Sequence, residues 1–236
     1  DAGEHIKNGT DAKTGIPIVS LYGANKKPRQ EQLKGIEVIL FDLQDVGVRF
    51  YTYISTLTYV MEAAAEQGIE VMVLDRPNPH DGYTDGPVLK PGFSSFVGLH
   101  PVPVVYGLTI GEYGKMVNGE KWLKKGKEAK YTLIPMANYH KKQRYGMLER
   151  PSPNLPNDQS INLYPSLCFF EGTQVSVGRG TDLPFQLYGS PWTKSLPYQF
   201  VPKPNYGAKN PFLNGQNCFG ENLSGFSEDL RELNLE

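Results

Sequence analysis

The amino-acid sequence predicts an α/β fold built on a parallel sheet. Residues 35–42 read GIEVILFD and residues 68–75 read GIEVMVLD, two apolar runs that each open on Gly and close on Asp. The text between them has helical periodicity, with Ile54, Leu57, Met61, Ala64 and Ala65 recurring at i, i+3, i+4 spacing between Tyr53 and Gln67. Gly68 stands where a left-handed C-terminal cap is wanted, and the second run begins at once. Strand, helix, strand in this order is a β-α-β unit. It sets Asp42 and Asp75 side by side at the carboxyl ends of parallel strands, the edge at which open α/β sheets bind ligands.

Residues 16–22, IPIVSLY, predict a short buried strand after the Gly15 turn, and the basic, polar residues 24–34 a short helix. Residues 36–41 are almost continuously apolar, as a strand buried on both faces should be. In DRPNPHDGYTDGP, residues 75–87, Pro77, Pro79 and Pro87 forbid regular structure. PVPVVY at 101–106 predicts an edge strand. Thr109 and Glu112 form a capping box that opens a helix running to about Lys125. The charged connector KKGKEAK, 124–130, divides the chain into a first domain, 1–126, and a second, smaller α/β domain, 127–236.

Beyond the connector, YTLIPM at 131–136 predicts a strand. Residues 150–166, rich in Pro, Asn and Ser, predict a segment lying over the surface. Residues 168–185 alternate apolar and polar before a tight Gly-Arg-Gly. Residues 202–225 hold many Gly, Asn and Pro, and a helix starts at Ser227.

A chain of 236 residues can bury a sizeable core. Its 24 Lys+Arg against 25 Asp+Glu, a formal charge of −1, argues against a nucleic-acid footprint or a polybasic membrane patch. No apolar run approaches the ~18 residues of a membrane helix. Cys168 and Cys218 match neither a zinc ribbon nor a redox C-x-x-C, and predict two buried thiols rather than a disulfide. The opening DAGEHIKNGTD reads as a polar loop inside a longer protein.

Three constellations carry possible chemistry. Asp42, Gln44, Asp45, Arg49, Tyr51, Thr52 and Tyr53 crowd the passage from the first strand to its helix, where free N–H groups suit a polar or anionic ligand. Asp75, Arg76 and Asn78 follow the second strand, with prolines fixing the loop. Glu171, Gly172, Thr173, Ser176, Arg179 and Thr181 form the third, in which Gly178 and Gly180 let the chain turn tightly and present Arg179. Each has a plain structural reading: capping aspartates, packed tyrosines, an ion pair, an ordinary hairpin. His5, His80, His100 and His140 lack ligand spacing, and neither a nucleophile elbow nor a phosphate loop is present, so no metal and no cofactor is predicted.

DVGVRFYTYIST (45–56), LDRPNP (74–79), DGPVL (85–89), SFVG (95–98), GLTIGE (107–112), PSPNLP (151–156) and FEGTQVSVGRGTDLPF (170–185) occur in this order. Together they resemble the family first described as DUF1343 and now as the NamZ-type exo-β-N-acetylmuramidases, which are glycoside hydrolases. The resemblance runs from Asp1 to about Trp192 and is looser beyond. It implies a Rossmann-like N-terminal domain, a smaller α/β domain and a cleft between them. It implies an exported, periplasmic or secreted enzyme of bacterial cell-wall recycling that acts on peptidoglycan-derived muramyl saccharides. It also implies a Pro-Glu-His-Gly motif, whose Glu is the favoured acid, shortly before the stretch matching Asp1–Glu4. The chain starts after that point.

Glycosidases need two carboxyl groups flanking the bond, or one with help from the sugar's own acetamide. Asp45 and Glu171, with Tyr51, are the catalytic candidates; Arg49, Asp75, Arg76, Asn78, Arg179 and Thr181 are the substrate-binding candidates. Muramic acid carries a lactyl carboxylate, which Arg179 first and Arg76 second are expected to pair. The alternatives are a wall-binding protein without catalysis and, disfavoured for lack of a phosphate loop, a Mg²⁺-dependent phosphotransferase using Asp42 and Asp45.

Overall fold

The computed structural model describes residues 7–226 apart from 24, 142, 144 and 148. Its centre is a parallel sheet of β3 (Val38–Phe41), β4 (Glu70–Leu74) and β5 (Lys130–Ile134), in that order. β1 (Gly9–Thr10) and β2 (Pro17–Ile18) form a small antiparallel pair ahead of it. The helices are α1 (Tyr53–Gln67), α2 (Ile110–Gly119) and α3 (Asp158–Leu167). A second sheet, antiparallel, has the order β6 (Leu187–Ser190), β8 (Cys218–Asn222), β7 (Tyr198–Phe200).

The β-α-β unit is present as read. β3 and β4 pair in parallel from Val38↔Glu70 to Phe41↔Val73, and α1 connects them. Gly68 ends α1 in the left-handed region at φ 71°. Ile54, Leu57, Val60, Met61 and Ala64 of α1 pack with Val71 and Val73 of β4 and with Ile110, Tyr113 and Val117 of α2. Gly111 and Gly114 let α2 lie close to β5: a Cβ at Gly111 would stand 2.3 Å from Leu133 Cδ1, and one at Gly114 2.6 Å from the Tyr131 hydroxyl.

Several elements differ from the sequence reading, each for a local reason. β5 pairs with β4 from Glu70↔Lys130 to Leu74↔Ile134, so the parallel sheet continues across the 124–130 connector. The strand at 36–41 is covered on one face only. Ile39 and Phe41 turn toward the helices, while Val38 and Leu40 are 42% and 62% exposed. The strand in 16–22 shortens to Pro17–Ile18 and is exposed, and the helix in 24–34 shortens to a 3₁₀ turn, Gln30–Leu33. In PVPVVY the residues Val102, Val104, Val105 and Tyr106 are buried, but the segment makes single bridges, Val48↔Val105 and Asp85↔Val105, since Pro101 and Pro103 donate nothing to a ladder. α2 opens at the Thr109–Glu112 capping box and stops at Gly119, ahead of Lys121, whose φ is 57°.

The 150–166 segment does not simply lie over the surface. Asn157 caps α3 by accepting from Ser160 N at 2.9 Å, and Ile161, Leu163, Tyr164 and Leu167 are buried. The alternation in 168–185 gives no ladder beyond the bridge Ser176↔Gly189, and Cys168–Gly172 form a 3₁₀ turn. A second apolar cluster joins both halves of the chain, uniting Val46, Val48, Val104 and Val105 with Ile161, Tyr164, Leu167, Val177 and Phe185. Both cysteines are free and buried. The helix read from Ser227 lies outside the described residues.

Candidate active site

The loops after β3, β4 and β5 meet at the carboxyl edge of the parallel sheet. They enclose a cavity of about 360 Å³ lined by Asp42, Leu74, Asp75, Arg76, Pro77, Met136, Ala137, Asn138, Tyr139, Gln143 and Tyr145. Asp42 and Asp75 share this edge because their strands are parallel and in register. Arg76 Nε donates to Asp42 Oδ1 at 2.6 Å, with the two side chains 48% and 41% exposed. The Arg76 hydrogen bond holds the Asp42 carboxyl below the usual range.

Asp75 is engaged structurally. Its Oδ2 accepts from Thr109 Oγ1 at 2.7 Å, and its Oδ1 from Gly111 N at 3.0 Å and Arg76 N at 3.1 Å. It thus ties the end of β4 to the amino end of α2, where a carboxylate is favoured by unpaired N–H groups. Asn78 is buried beneath the same loop: its Nδ2 donates to Leu108 O at 2.8 Å and its Oδ1 accepts from His80 N at 2.8 Å. A Cβ at Gly47 would stand 2.0 Å from Asn78 Oδ1, so Gly47 is what lets the two loops touch. Gln44 joins them again, its Nε2 donating to Asp45 O and Pro77 O, each at 2.7 Å.

Asp45 is buried and does not line the cavity. Its Oδ2 accepts from Gly47 N at 2.8 Å and from the Tyr106 hydroxyl, while Oδ1 has no hydrogen-bond partner among the described residues. Burial pushes its carboxyl up to about 6, against the lowering effect of those bonds. Arg49 is buried as well, its Nη1 donating to Pro87 O at 2.9 Å and to Val102 O. Tyr51 packs edge-on against Tyr53 and Tyr164 and donates its hydroxyl proton to Pro151 O at 2.5 Å. Burial raises its pKa far above the ordinary phenol value.

The third constellation sits on the other flank of Tyr164. Arg179 Nε donates to Glu171 Oε1 at 2.8 Å, and the guanidinium lies 4.9 Å from the Phe185 ring centre. Gly178 and Gly180 have φ of 80° and 82°, so the turn that carries Arg179 requires glycine on both sides. Thr181 closes that turn, its Oγ1 donating to Gly178 O at 2.7 Å. Tyr164 packs edge-on against both Tyr51 and Phe185, and so stands between Tyr51 and the ring that meets Arg179.

The fold therefore brings Asp75 and Arg76 into the cavity with Asp42, and leaves Asp45, Tyr51, Glu171 and Arg179 outside its lining. It gives Arg49, Asn78 and Thr181 backbone partners. The facing wall of the cavity comes from 136–145, and no residue of 170–181 lines it. Asn138, Tyr139, Gln143 and Tyr145 were not singled out from the sequence. The sequence shows a strand at 131–136 but not its place beside β4, and that place is what brings the loop after it to this edge. Tyr139 is anchored there, its hydroxyl accepting from Asn78 N at 3.2 Å and donating to Asp81.

Among the described residues no group of three or more His, Cys, Asp and Glu is placed to hold a metal ion. No helix among them is long and apolar enough to cross a membrane.

Two family models cover most of the chain. The N-terminal model of the exo-beta-N-acetylmuramidase NamZ matches residues 1–159, and the C-terminal model residues 162–233. The peptidoglycan beta-N-acetylmuramidase NamZ of Bacillus subtilis (strain 168) is 46% identical over 199 residues, 82% of this chain and 47% of that protein. A DUF1343 family crystal structure from Bacteroides fragilis NCTC 9343 superposes with a TM-score of 0.88 at 47% identity, covering 92% of this chain and 60% of that one. A second from the same organism gives 0.79 at 33% identity, covering 90% and 59%. The chain thus spans about half the length of the curated relative it matches. Both halves, the fold and the motifs at the sheet edge agree: the chain belongs to the NamZ exo-β-N-acetylmuramidase family.

Proposed function

We propose that the protein containing this chain is an exo-acting glycoside hydrolase that releases N-acetylmuramic acid from the non-reducing end of peptidoglycan fragments. The 46% identity to a peptidoglycan beta-N-acetylmuramidase carries this reading. The polar cavity at the carboxyl edge of β3, β4 and β5 supports it, being of a size suited to one sugar ring with donors and acceptors on three sides. We read this sheet as part of a Rossmann-like domain, since α1 and α2 follow successive parallel strands and pack into one core. A wall substrate favours a periplasmic or secreted enzyme of cell-wall recycling.

Within that reading the described carboxylates position rather than protonate. Asp42 is held ionised by Arg76, Asp75 is engaged by α2, and Asp45 is sealed from the cavity. We therefore assign the general acid to a residue other than these three. Asp45 keeps the loop after β3 in shape, and Tyr51 ties that loop to the 151–156 segment. Glu171 and Arg179 pair with each other over Phe185. The test is release of muramic acid from a chromogenic β-N-acetylmuramide by the full-length protein. Turnover supports the hydrolase reading. Tight binding of the sugar without turnover would replace it with the wall-binding alternative.

A further inference from the structure

We propose that Arg76 is the residue that selects the anionic sugar, pairing the 3-O-lactyl carboxylate through the outer edge of its guanidinium while Asp42 holds the group in place. This rests on the reading of the cavity as the muramic acid site. A guanidinium has two edges able to meet a carboxylate two-prong to two-prong. Asp42 uses the Nε side of Arg76 at 2.6 Å. Among the described residues the one hydrogen bond of the Arg76 side chain is that from Nε to Asp42, which leaves the Nη1–Nη2 edge without a described partner. The side chain is half exposed and lines the cavity.

The other two candidate arginines are placed differently. Arg49 is buried and its Nη1 is held by two backbone carbonyls. Arg179 combines an ion pair to Glu171 with a stacked position against Phe185, and it does not line the cavity. Asp42 fixes the plane of Arg76 before ligand arrives, which lowers the ordering cost of binding. Asp42 also repels a second carboxylate, so the site tolerates the lactyl anion only at the far edge. That constraint orients the sugar, with Asn138, Tyr139 and Gln143 on the facing wall for its hydroxyl and acetamide groups. Lysine cannot replace this, since one ammonium cannot serve both carboxylates in a plane.

The experiment is equilibrium binding of N-acetylmuramic acid, its lactyl methyl ester and N-acetylglucosamine to the full-length protein, compared among wild type, Arg76→Lys, Arg76→Gln and Arg179→Lys. Wild type should bind the acid about 10- to 100-fold more tightly than the ester, the range expected of a charge-assisted pair. Arg76→Gln should reduce that ratio to near 1, and Arg76→Lys should leave only a small part of it. If wild type binds acid and ester equally, no cation reads the lactyl group and the inference falls, whatever the variants do. Collapse of the ratio in Arg179→Lys with retention in Arg76→Gln would overturn it in favour of Arg179. The outcome is separable from hydrolysis. Selective binding without turnover keeps Arg76 and removes the enzyme, and turnover without acid–ester discrimination does the reverse.

Discussion

At the scale of single residues, Asp45 is where burial and protonation are most tightly linked. Folding moves its carboxyl from an ordinary 3.8 up to about 6, through burial. Between those pH values the folded chain keeps a proton that the unfolded chain has released, so stability falls as pH rises through this window. Below it there is no cost, and above it the full cost, on the order of 2–3 kcal/mol, is present. The tyrosines on which its charge acts, Tyr51, Tyr106, Tyr113 and Tyr164, have raised pKa values, chiefly through burial, and stay neutral throughout. Asp45→Asn should therefore gain on wild type by that amount between about pH 4 and 7 in urea unfolding. A difference that does not change with pH would mean that the carboxylate ionises without penalty. Tyr51 gives a second residue-scale prediction. Its hydroxyl bonds Pro151 O, so Tyr51→Phe should cost about 1–2 kcal/mol of stability by leaving that carbonyl unpaired. Loss of kcat with unchanged stability would instead restore Tyr51 to the chemistry.

At the scale of elements, the junction of β4, α2 and β5 sets the geometry of the cavity. Asp75 reaches the amino end of α2 because Gly111 has no side chain; a Cβ there would stand 2.8 Å from Asp75 Oδ1 and 2.3 Å from Leu133. Gly111→Ala should lower stability by about 1–3 kcal/mol, as overpacking does, despite the better helix propensity of alanine. Thr109→Val removes both the cap and the bond to Asp75, and should cost about 1–2 kcal/mol. Both are read from thermal or urea midpoints. An unchanged midpoint in Gly111→Ala would show that α2 can withdraw from β5 freely. The legibility of these elements followed from their spacing. α1 was readable to its last residue because one apolar stripe and one glycine cap define it. α3 was hidden by its own lead-in, since PSPNLPN reads as loop up to the Asn157 that caps the helix. PVPVVY looked like a strand by composition, yet Pro101 and Pro103 left single bridges.

At the scale of the whole molecule, two features stand out that no single segment announces. The second apolar cluster spans both halves of the chain, so cuts made at the 124–130 connector should leave neither half independently folded. Expression of residues 1–126 and 127–236 as separate chains should yield unfolded or aggregating products, measured by circular dichroism and exclusion chromatography. Two soluble, cooperatively melting pieces would contradict this. The other feature is the outer face of the parallel sheet, where Val38, Leu40 and Ile134 are 42%, 62% and 42% exposed. An exposed apolar patch of this kind favours association. The 236-residue chain should bind a hydrophobic dye, and Leu40→Lys should reduce that binding with little effect on stability.

Local sequence was enough for the β-α-β unit, the edge at which Asp42 and Asp75 meet, the capping box of α2 and the buried thiols. These depend on residues close in the chain, where periodicity, caps and prolines act directly. Its ordered motifs also carried the family, because seven segments in sequence are a long-range signal of their own. Which strand lies third in the sheet, and hence that the loop after β5 faces Arg76 across the cavity, came from the folded chain. It alone separated the three arginines: one on backbone carbonyls, one stacked on Phe185, one open at the sheet edge. The physical reason is that partner choice among identical side chains depends on burial and on distant backbone. Tyr51 and Pro151, a hundred residues apart, meet through packing that no local pattern encodes.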